Sequence, residues 1–313
     1  MTRNTEQINI GLLGSTGRVG RLLIDEIAQS NKAILSAMFV REKLDFVPNT
    51  LRQNPNQNPT LITNDLDEFI ASCEVIIDFS ARSGTASLLS ALQKRLDSSD
   101  NQRQANKPKS SPSKSNPSKT SLSKSTLPTL PACVIGTTGL SKDDFTLLDS
   151  LSKHTPILYA ANMSLGVAIL RQVVQEVASK LQNADIEISE IHHRFKKDAP
   201  SGTALALAHS CAKGRGLSDT NTKNSNLAQN PQNLFITDRA SAGERKDGQI
   251  SIVSLRGGDV AGRHTVGFYM QGEYLEFTHN ATNRATFAKG ALECALWLSK
   301  QKPNLYDIDS MLA

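Results

Sequence analysis

A glycine-rich turn between two apolar runs constrains the fold more than any other feature of this chain. Ile8–Gly14 reads as a short strand, residues 14–20 read G-S-T-G-R-V-G, and Leu22–Gln29 reads as a helix. In this order the first glycine permits a tight turn, the second lets backbone approach a pyrophosphate, and the third allows close packing of helix on strand. The turn predicts a dinucleotide-binding fold, although the same spacing also occurs where a turn only packs a helix.

The end of the next predicted strand indicates which dinucleotide is bound. Ala33–Val40 is apolar and leads into Arg41. An acidic residue at this place suits the ribose of NAD(H), whereas arginine accommodates the 2′-phosphate of NADP(H). Arg41 therefore favours NADPH over NADH. Glu42 is a competing candidate for a ribose contact, and an exposed surface charge is the alternative for Arg41. The cofactor-binding residues predicted here are Gly14, Ser15, Thr16, Gly17, Arg18, Val19 and Arg41.

Two further apolar runs end in small polar residues. Val75–Ser80 and Ala132–Gly139 fit strands of a doubly wound sheet, in which ligands lie outside the carboxyl ends of the strands. Both ends are predicted to line a pocket. Asp78 either contributes to that pocket or caps its own strand through local backbone bonds.

Residues 190–204, E-I-H-H-R-F-K-K-D-A-P-S-G-T-A, combine titrating groups, cations and a helix start. A predicted strand, Ile186–Ile191, precedes them, and a predicted helix, Ala204–Lys213, follows. Ser201 or Thr203 can serve as the N-cap, leaving first-turn N–H groups to bind a small anion beside fixed positive charge. A histidine pair alone is as often a surface feature as a functional one.

The whole segment resembles the signature of the 4-hydroxy-tetrahydrodipicolinate reductase family, also called dihydrodipicolinate reductases, E-x-H-H-x-x-K-x-D-A-P-S-G-T-A. The resemblance implies that His192 donates a proton and that Lys196 assists it, which makes these two the expected catalytic residues. It also implies a small dicarboxylate substrate. The residues expected to bind that substrate are His193, Ser201, Gly202 and Thr203.

Other segments extend the resemblance. Two match family segments that contact the nicotinamide cofactor, and the residues expected to do so here are Gly136, Thr137, Thr138, Ala160, Ala161, Asn162 and Met163. The run from Arg256 to His264, R-G-G-D-x-x-G-x-H, also resembles a family motif. Because Gly and Asp are ordinary turn formers, we expect this run to serve turns and sheet pairing rather than chemistry.

The predicted fold class is α/β: a Rossmann-type doubly wound parallel sheet, with an α+β second domain that has a largely antiparallel or mixed sheet. Three strands of that second sheet are predicted at Ile250–Arg256, His264–Met270 and Tyr274–His279. We place the dinucleotide-binding domain at residues 1–164, a substrate-binding and oligomerisation domain at 165–283, and a C-terminal helix returning to the first domain at 284–313.

Charge is concentrated in one segment. Residues 94–131 contain six Lys, two Arg and two Asp, so they alone exceed the net charge of +5 carried by the whole chain. Residues 96–130 are predicted to form a disordered basic insertion, because they hold too few apolar residues to order themselves. We expect no nucleic-acid partner, although such segments can bind polyanions weakly.

Four scattered cysteines, without C-x-x-C spacing, predict reduced thiols and no metal site. Neither a signal pattern nor a long apolar run is evident, which predicts a cytoplasmic protein without a membrane partner. The family resemblance implies a homotetramer. It also implies the NAD(P)H-dependent reduction of 4-hydroxy-tetrahydrodipicolinate to tetrahydrodipicolinate in the diaminopimelate pathway to lysine.

Two alternatives stay open at this point. A non-catalytic NADP-binding regulator could keep the same fold, and so could a Rossmann dehydrogenase acting on another aspartate-derived metabolite.

Overall fold

The computed structural model describes residues 7–41, 59–105, 130–217 and 234–313. The chain forms two compact units. The first unit comprises the described residues up to Ala160 together with Ala291–Asp307, and the second comprises Ala161–Gly290 together with Ile308–Ala313. The chain thus passes from one unit to the other four residues before the predicted boundary at 164.

The first unit alternates strands and helices. Its strands are β1 (Ile8–Leu13), β2 (Ala33–Phe39), β3 (Leu61–Thr63), β4 (Val75–Asp78), β5 (Ala132–Ile135), β6 (Pro156–Tyr159) and β12 (Asn304–Tyr306). Its helices are α1 (Arg18–Gln29), α2 (Leu66–Ala71), α3 (Arg82–Ala105), α4 (Lys142–Ser152) and the later part of α7 (Ala285–Leu298).

All seven strands pair in parallel, in the order β12-β6-β5-β4-β1-β2-β3. Six of them follow the 3-2-1-4-5-6 order of the doubly wound dinucleotide-binding fold. Every residue of β4 and β5 is buried, as expected for central strands of a parallel sheet with helices on both faces. The Rossmann-type fold predicted from the glycine turn is confirmed.

Helices α1 and α3 depart from what the sequence predicted at their ends, and the predicted C-terminal helix at 284–313 is helical only at Ala285–Leu298 and Asp309–Leu312. Helix α1 begins at Arg18 and not at Leu22, because the last glycine of the turn lies inside its first turn. Helix α3 continues to Ala105, so residues 96–105 of the predicted disordered insertion are helical. The first helix-breaking proline is Pro108, and nothing in 96–105 stops a helix already nucleated by buried leucines further back. The rest of that insertion, residues 106–129, lies outside the described residues, as does Glu42.

The second unit packs helices against a five-stranded sheet. Its strands are β7 (Asp185–His192), β8 (Phe235–Ile236), β9 (Ile250–Arg256), β10 (Gly262–Met270) and β11 (Glu273–Ala281). Its helices are α5 (Leu165–Lys180), α6 (Gly202–Gly214), the short α8 (Asp309–Leu312) and the first residues of α7. The core joins Val174 of α5 and Leu207 of α6 to Ile188 and Phe268 of the sheet.

The sheet order, β11-β10-β7-β9-β8, differs from a simple antiparallel meander. Strand β7 lies between β9 and β10, pairing in parallel with β9 and antiparallel with β10. The sheet is therefore mixed. The sequence predicted a sheet that was either largely antiparallel or mixed, and the second form is the one observed. Since β9 and β10 flank β7, their connection at residues 257–261 must cross the carboxyl end of β7.

Within the described ranges, no helix combines the length and the apolar composition that crossing a membrane would require.

The glycine turn yields a stability prediction. A Cβ atom at Gly20 would overlap the Gly14 carbonyl oxygen, which is rigid backbone, whereas a Cβ at Gly202 would meet nothing within 4 Å. We expect Gly20→Ala to lower the free energy of unfolding by about 1–3 kcal/mol, a typical cost of overpacking. The matched control Gly202→Ala, also in a helical first turn, should be neutral or stabilising by up to about 1 kcal/mol. Urea unfolding measures both, and equal effects would contradict the close packing.

Candidate active site

Strand β7 carries polar residues on the side of the sheet that faces the core. Its burial alternates along the strand, and Glu190 and His192 continue the buried row begun by Ile186 and Ile188. Side chains two residues apart share one face of a strand, so the apolar core gives way to a polar cluster at the carboxyl end of β7. The register places His264 of β10 directly across from Glu190.

The Glu190 carboxylate is the centre of this cluster and is only 1% exposed. Its Oε1 atom accepts hydrogen bonds from the Ser201 backbone N–H at 3.0 Å and from both terminal nitrogens of Arg256 at 3.3 Å. Burial raises the pKa of Glu190, but the polar groups of His192, His264 and Ser201 outweigh that effect and hold it well below its usual range. Glu190 is therefore a buried anion at neutral pH.

Both ring nitrogens of His192 face protein groups. Nδ1 lies 3.2 Å from the carbonyl oxygen of Ala261, which can only accept, so Nδ1 carries a hydrogen. Nε2 lies 3.3 Å from Nε2 of His264 and 3.4 Å from Oε2 of Glu190. A proton on Nε2 would therefore have the Glu190 carboxylate as its counter-ion.

Arg256 ties the loop after β7 to the strand that carries it. Its guanidinium donates to the carbonyl oxygens of Lys196, at 3.3 Å, and Asp198, in addition to its bonds with Glu190. The loop also bonds to the 257–261 crossing, since the Arg194 N–H donates to the Gly258 carbonyl at 3.1 Å. Arg256 thus supplies neutralising charge to Glu190 and fixes the path of the loop.

Lys196 is held by a neighbouring carboxylate. Its Nζ atom lies 2.8 Å and 2.7 Å from the two oxygens of Asp198, and hydrogen bonding to Lys196 lowers the pKa of Asp198. Asp198 is the more exposed partner, with 59% of its side chain accessible against 21% for Lys196. An ammonium has three N–H donors, so Lys196 keeps donor capacity for a further anion. His193 is half-buried in the same loop.

Helix α6 begins at the far end of this loop. Ser201 is its N-cap, and its hydroxyl accepts from the Ala204 N–H at 3.1 Å, which decides between the two predicted caps. Gly202 and Thr203 occupy the first turn. The Asn162 amide donates to the Thr203 hydroxyl oxygen at 2.9 Å, so the Thr203 O–H remains free to donate. Asn162 is predicted to contact the cofactor, and within the second unit its side chain contacts Thr203.

The glycine turn of the first unit combines a tight backbone turn with an uncapped helix start. Gly14 has φ +86, and a Cβ there would lie 2.6 Å from the backbone of Phe79. Gly17 is the N-cap of α1 and offers no side chain, and the first turn of α1 has no acidic residue. The N–H groups of Arg18 and Val19 are thus left for an anion, which the helix dipole favours.

The other residues predicted to bind the cofactor near this turn differ in how exposed their side chains are. Ser15 is buried, and its hydroxyl has no hydrogen-bond partner among the described residues. Thr16 and Arg18 are exposed beside it, and Arg41 is exposed just beyond β2. An unpartnered buried hydroxyl next to an uncapped helix N-terminus is consistent with a site for phosphate groups.

Asp78 anchors the edge where β4 and β5 end. Its carboxylate is fully buried and accepts from the Ser80 N–H at 2.8 Å, the Thr85 hydroxyl at 2.5 Å and the Thr137 hydroxyl at 3.2 Å. Burial raises the pKa of Asp78, against these hydrogen bonds. Since the single hydroxyl proton of Thr137 is directed to protein oxygens, the exposed Thr138 and the backbone of Gly136 are better placed to contact a ligand.

The remaining predicted cofactor residues divide between the units. Ala160 is buried in the first unit, where its N–H donates to the Ile135 carbonyl at 3.1 Å. Ala161 is exposed and Met163 buried, and both belong to the second unit.

Sequence reasoning missed three residues of the cluster. Glu190 was part of the quoted signature without a role, and Arg256 and His264 were expected to serve only turns and pairing. Turn formation does not account for their contacts with Glu190 and His192. The available signal was the period of two in β7, which places Glu190 on the same face as Ile186 and Ile188 and thereby requires partners for a buried charge.

Two family models match this chain over nearly its whole length. One, described as dihydrodipicolinate reductase, N-terminus, matches residues 8–97 and 118–163, and the other, dihydrodipicolinate reductase, C-terminus, matches residues 166–312.

Similar proteins carry the same description. A 4-hydroxy-tetrahydrodipicolinate reductase of Wolinella succinogenes is 45% identical over 303 residues, covering 97% of this chain and 98% of the relative. A protein of that name from Helicobacter hepaticus is 44% identical, covering 97% and 99%. A dipicolinate-bound dihydrodipicolinate reductase from Paenisporosarcina sp. TG-14 shares the fold, with a TM-score of 0.65 and 19% identity over 97% of this chain and 99% of that one.

The Glu190 cluster yields a pH-dependent stability prediction. Replacing Glu190 with Gln leaves Arg256 and the histidines without their counter-charge, and we expect a loss of about 3–5 kcal/mol of unfolding free energy at pH 7. Because the pKa of Glu190 is lower in the folded state, its contribution is complete above the unfolded carboxyl pKa of about 4.3 and declines as the pH falls below it. The gap between wild type and Glu190→Gln should therefore narrow at pH 4.

Urea unfolding at pH 7 and pH 4 measures that gap, with Glu187→Gln, on the same strand but half-buried, as the matched control. A gap that stays constant with pH would show that Glu190 is not a buried anion.

Proposed function

The chain belongs to the dihydrodipicolinate reductase family, and we propose how its residues carry out that family's reaction. The reaction is the reduction of 4-hydroxy-tetrahydrodipicolinate to tetrahydrodipicolinate with a nicotinamide cofactor, in lysine biosynthesis. The observation that carries the assignment of residues is the complete family signature folded around a buried carboxylate, with Lys196, Ser201 and His192 all tied to the same network. Neither alternative from the sequence, the regulator or the other dehydrogenase, is favoured by the family membership.

We propose that the first unit holds the cofactor. The N–H groups of the turn and of α1 bind the pyrophosphate, and the unpartnered Ser15 hydroxyl lies among them. Thr138 and Gly136 line the carboxyl ends of the strands, where doubly wound sheets take their ligands. When bound, the nicotinamide supplies the hydride. Arg41, exposed at the end of β2, favours NADPH through a charge-assisted bond to the 2′-phosphate.

The second unit binds the two substrate carboxylates in this proposal. Lys196 offers a cation with a spare N–H, and the first turn of α6 offers the N–H groups of Gly202 and Thr203 with the helix dipole behind them. The Thr203 hydroxyl is free to donate because Asn162 already satisfies its oxygen. His193 adds a donor from the same loop, and Ser201 positions the turn through its cap and its bond to Glu190.

His192 is the proposed proton donor. As the family implies, the 4-hydroxyl first leaves as water to give the conjugated, dehydrated form; hydride then adds to ring carbon C4, and a proton is needed at C3. The Ala261 carbonyl orients the His192 ring, and the Glu190 carboxylate is the counter-ion of its protonated form, while Lys196 assists. His192 keeps 11% of its side chain accessible, so the ring can meet a bound substrate. A positioned acid contributes on the order of 10²- to 10⁴-fold to rate.

The homotetramer, the cytoplasmic location and the absence of a nucleic-acid partner remain proposals that follow from family resemblance and composition. A small dicarboxylate is the substrate class. Dipicolinate is bound in one structure that shares this fold, and we propose that it also binds this chain as a stable substrate analogue.

The activity is tested by following NADPH and NADH oxidation at 340 nm. Substrate is generated in place from pyruvate and aspartate semialdehyde by the preceding synthase. We expect oxidation that depends on that substrate. Folded protein that binds NADPH but never oxidises it would contradict the proposed reductase.

His192→Gln tests the proton donor. Turnover should fall by about 10²- to 10⁴-fold, because the transferable proton is lost, while NADPH affinity should not change. Steady-state kinetics and fluorescence titration of NADPH measure the two quantities. His154→Gln, which alters an exposed histidine of the first unit, is the matched control. Unchanged turnover in His192→Gln would remove His192 from proton transfer.

Arg41→Ala tests cofactor choice. Losing a charge-assisted bond to the 2′-phosphate should raise the Michaelis constant for NADPH about tenfold or more and leave that for NADH unchanged. Lys32→Ala provides a control, since Lys32 is an exposed cation at the opposite end of β2. An equal change with both cofactors would refute recognition of the 2′-phosphate by Arg41.

A further inference from the structure

Three buried ligand-type atoms form a nearly regular triangle at the carboxyl end of β7. Nε2 of His192 lies 3.3 Å from Nε2 of His264 and 3.4 Å from Oε2 of Glu190, and Nε2 of His264 lies 3.5 Å from the same oxygen. The three residues come from two neighbouring strands whose register brings Glu190 opposite His264. The triangle is therefore built into the sheet and does not depend on a surface loop.

These separations match one face of a metal coordination tetrahedron. Zinc binds histidine nitrogen and carboxylate oxygen at about 2.0–2.2 Å, and tetrahedral angles then place neighbouring ligand atoms about 3.3–3.6 Å apart. Two histidines and one glutamate also make a known zinc ligand set that leaves a fourth position open.

The inward-facing atoms are held only by long polar contacts, with one another and with the Ser201 hydroxyl oxygen, which lies 3.3 Å from Nε2 of His264. Oε2 of Glu190 is buried and has no hydrogen-bond partner among the described residues. Nδ1 of His192 carries a hydrogen towards the Ala261 carbonyl, so Nε2 of the neutral ring presents a lone pair to the triangle. Nδ1 of His264 has no partner within the described part of the chain, whereas Nε2 faces the Ser201 hydroxyl at 3.3 Å, and that hydroxyl must turn its proton away for Nε2 to act as a ligand. The three ligand-type atoms all lie within 4.8 Å of one another, which is close enough to share one ion.

Neighbouring groups hold the His192 ring and the Glu190 carboxylate in place by hydrogen bonds, as the residues that surround metal ligands usually do. A ligating histidine usually donates its other ring hydrogen to a carbonyl or carboxylate, as His192 does to Ala261. The second oxygen of Glu190 is held by the Ser201 N–H and by Arg256, which directs Oε2 into the triangle. The Arg256 cation opposes a dication, so we expect micromolar rather than nanomolar affinity.

We propose that Glu190, His192 and His264 bind a divalent transition-metal ion of the zinc class, and that the bound ion inhibits the reductase by occupying Nε2 of His192. The binding stands on the geometry alone. The inhibition rests on the proposed function, in which His192 must carry a proton.

Calorimetric titration of chelator-treated protein with zinc chloride tests the binding. We expect one zinc per chain with a micromolar dissociation constant, weakened at least tenfold in His264→Gln and unchanged in the matched control His154→Gln. Equal affinity in His264→Gln and wild type, or no stoichiometric binding to wild type, would overturn the site. Because His264 is buried and its variant can lose stability, crystals of wild-type protein soaked in zinc provide a second measurement. An anomalous peak among the three side chains supports the site, and a peak only elsewhere overturns it.

Activity at increasing zinc concentration tests the inhibition. NADPH oxidation should fall with the same midpoint as zinc binding and recover on addition of a chelator. Zinc bound among the three residues with full activity would overturn the inhibition and would also remove His192 from proton transfer. The calorimetric titration measures zinc binding without any assay of activity. A failure of the metal site can therefore be told apart from a failure of the reductase assignment.

Discussion

The buried charge of Glu190 is the constraint on which the second unit depends. A carboxylate taken out of water costs several kcal/mol unless hydrogen bonds and an opposite charge compensate for it. Here compensation comes from Arg256 on β9 and from the Ser201 N–H at the start of α6. Satisfying one carboxylate therefore fixes the end of a strand, the loop that carries Lys196 and the first turn of a helix. The protein groups that we propose to bind the substrate are positioned as a consequence.

The two units offer different groups for the binding of negative charge that we propose. The first unit relies on backbone: a glycine with positive φ, a helix without a side-chain cap, and strand ends held together by Asp78. The second adds side chains to the first-turn N–H groups of α6, since Lys196 and His193 lie in the loop before that helix and Thr203 in its first turn. Backbone N–H groups suit a pyrophosphate that every dinucleotide shares, whereas a particular dicarboxylate needs donors at particular positions. This division is consistent with a cofactor site in one unit and a substrate site in the other.

Local patterns in the sequence predicted most elements, because the periods of β7 and α6 and the glycine turn are properties of short segments. The signature at residues 190–204 also identified the loop and helix that bear the candidate groups. Long-range pairing could not be predicted in this way: β7 lies between β9 and β10, and only that order brings Arg256 and His264 to Glu190. The prediction of disorder was wrong for residues 96–105, which are helical, since composition indicates average order and not where a nucleated helix ends. Arg41 stays a prediction, because no hydrogen bond or ion pair of its exposed side chain with the described residues tests it.

The central claim is that Glu190 organises the substrate site without taking part in cofactor binding. Its most direct test is the dissociation constant of dipicolinate, measured by calorimetry for wild type and for Glu190→Gln under conditions where both are folded, with NADPH affinity measured in parallel. The account predicts dipicolinate binding at least tenfold weaker in the variant, with NADPH binding unchanged. Equal dipicolinate affinity in the two proteins would contradict it.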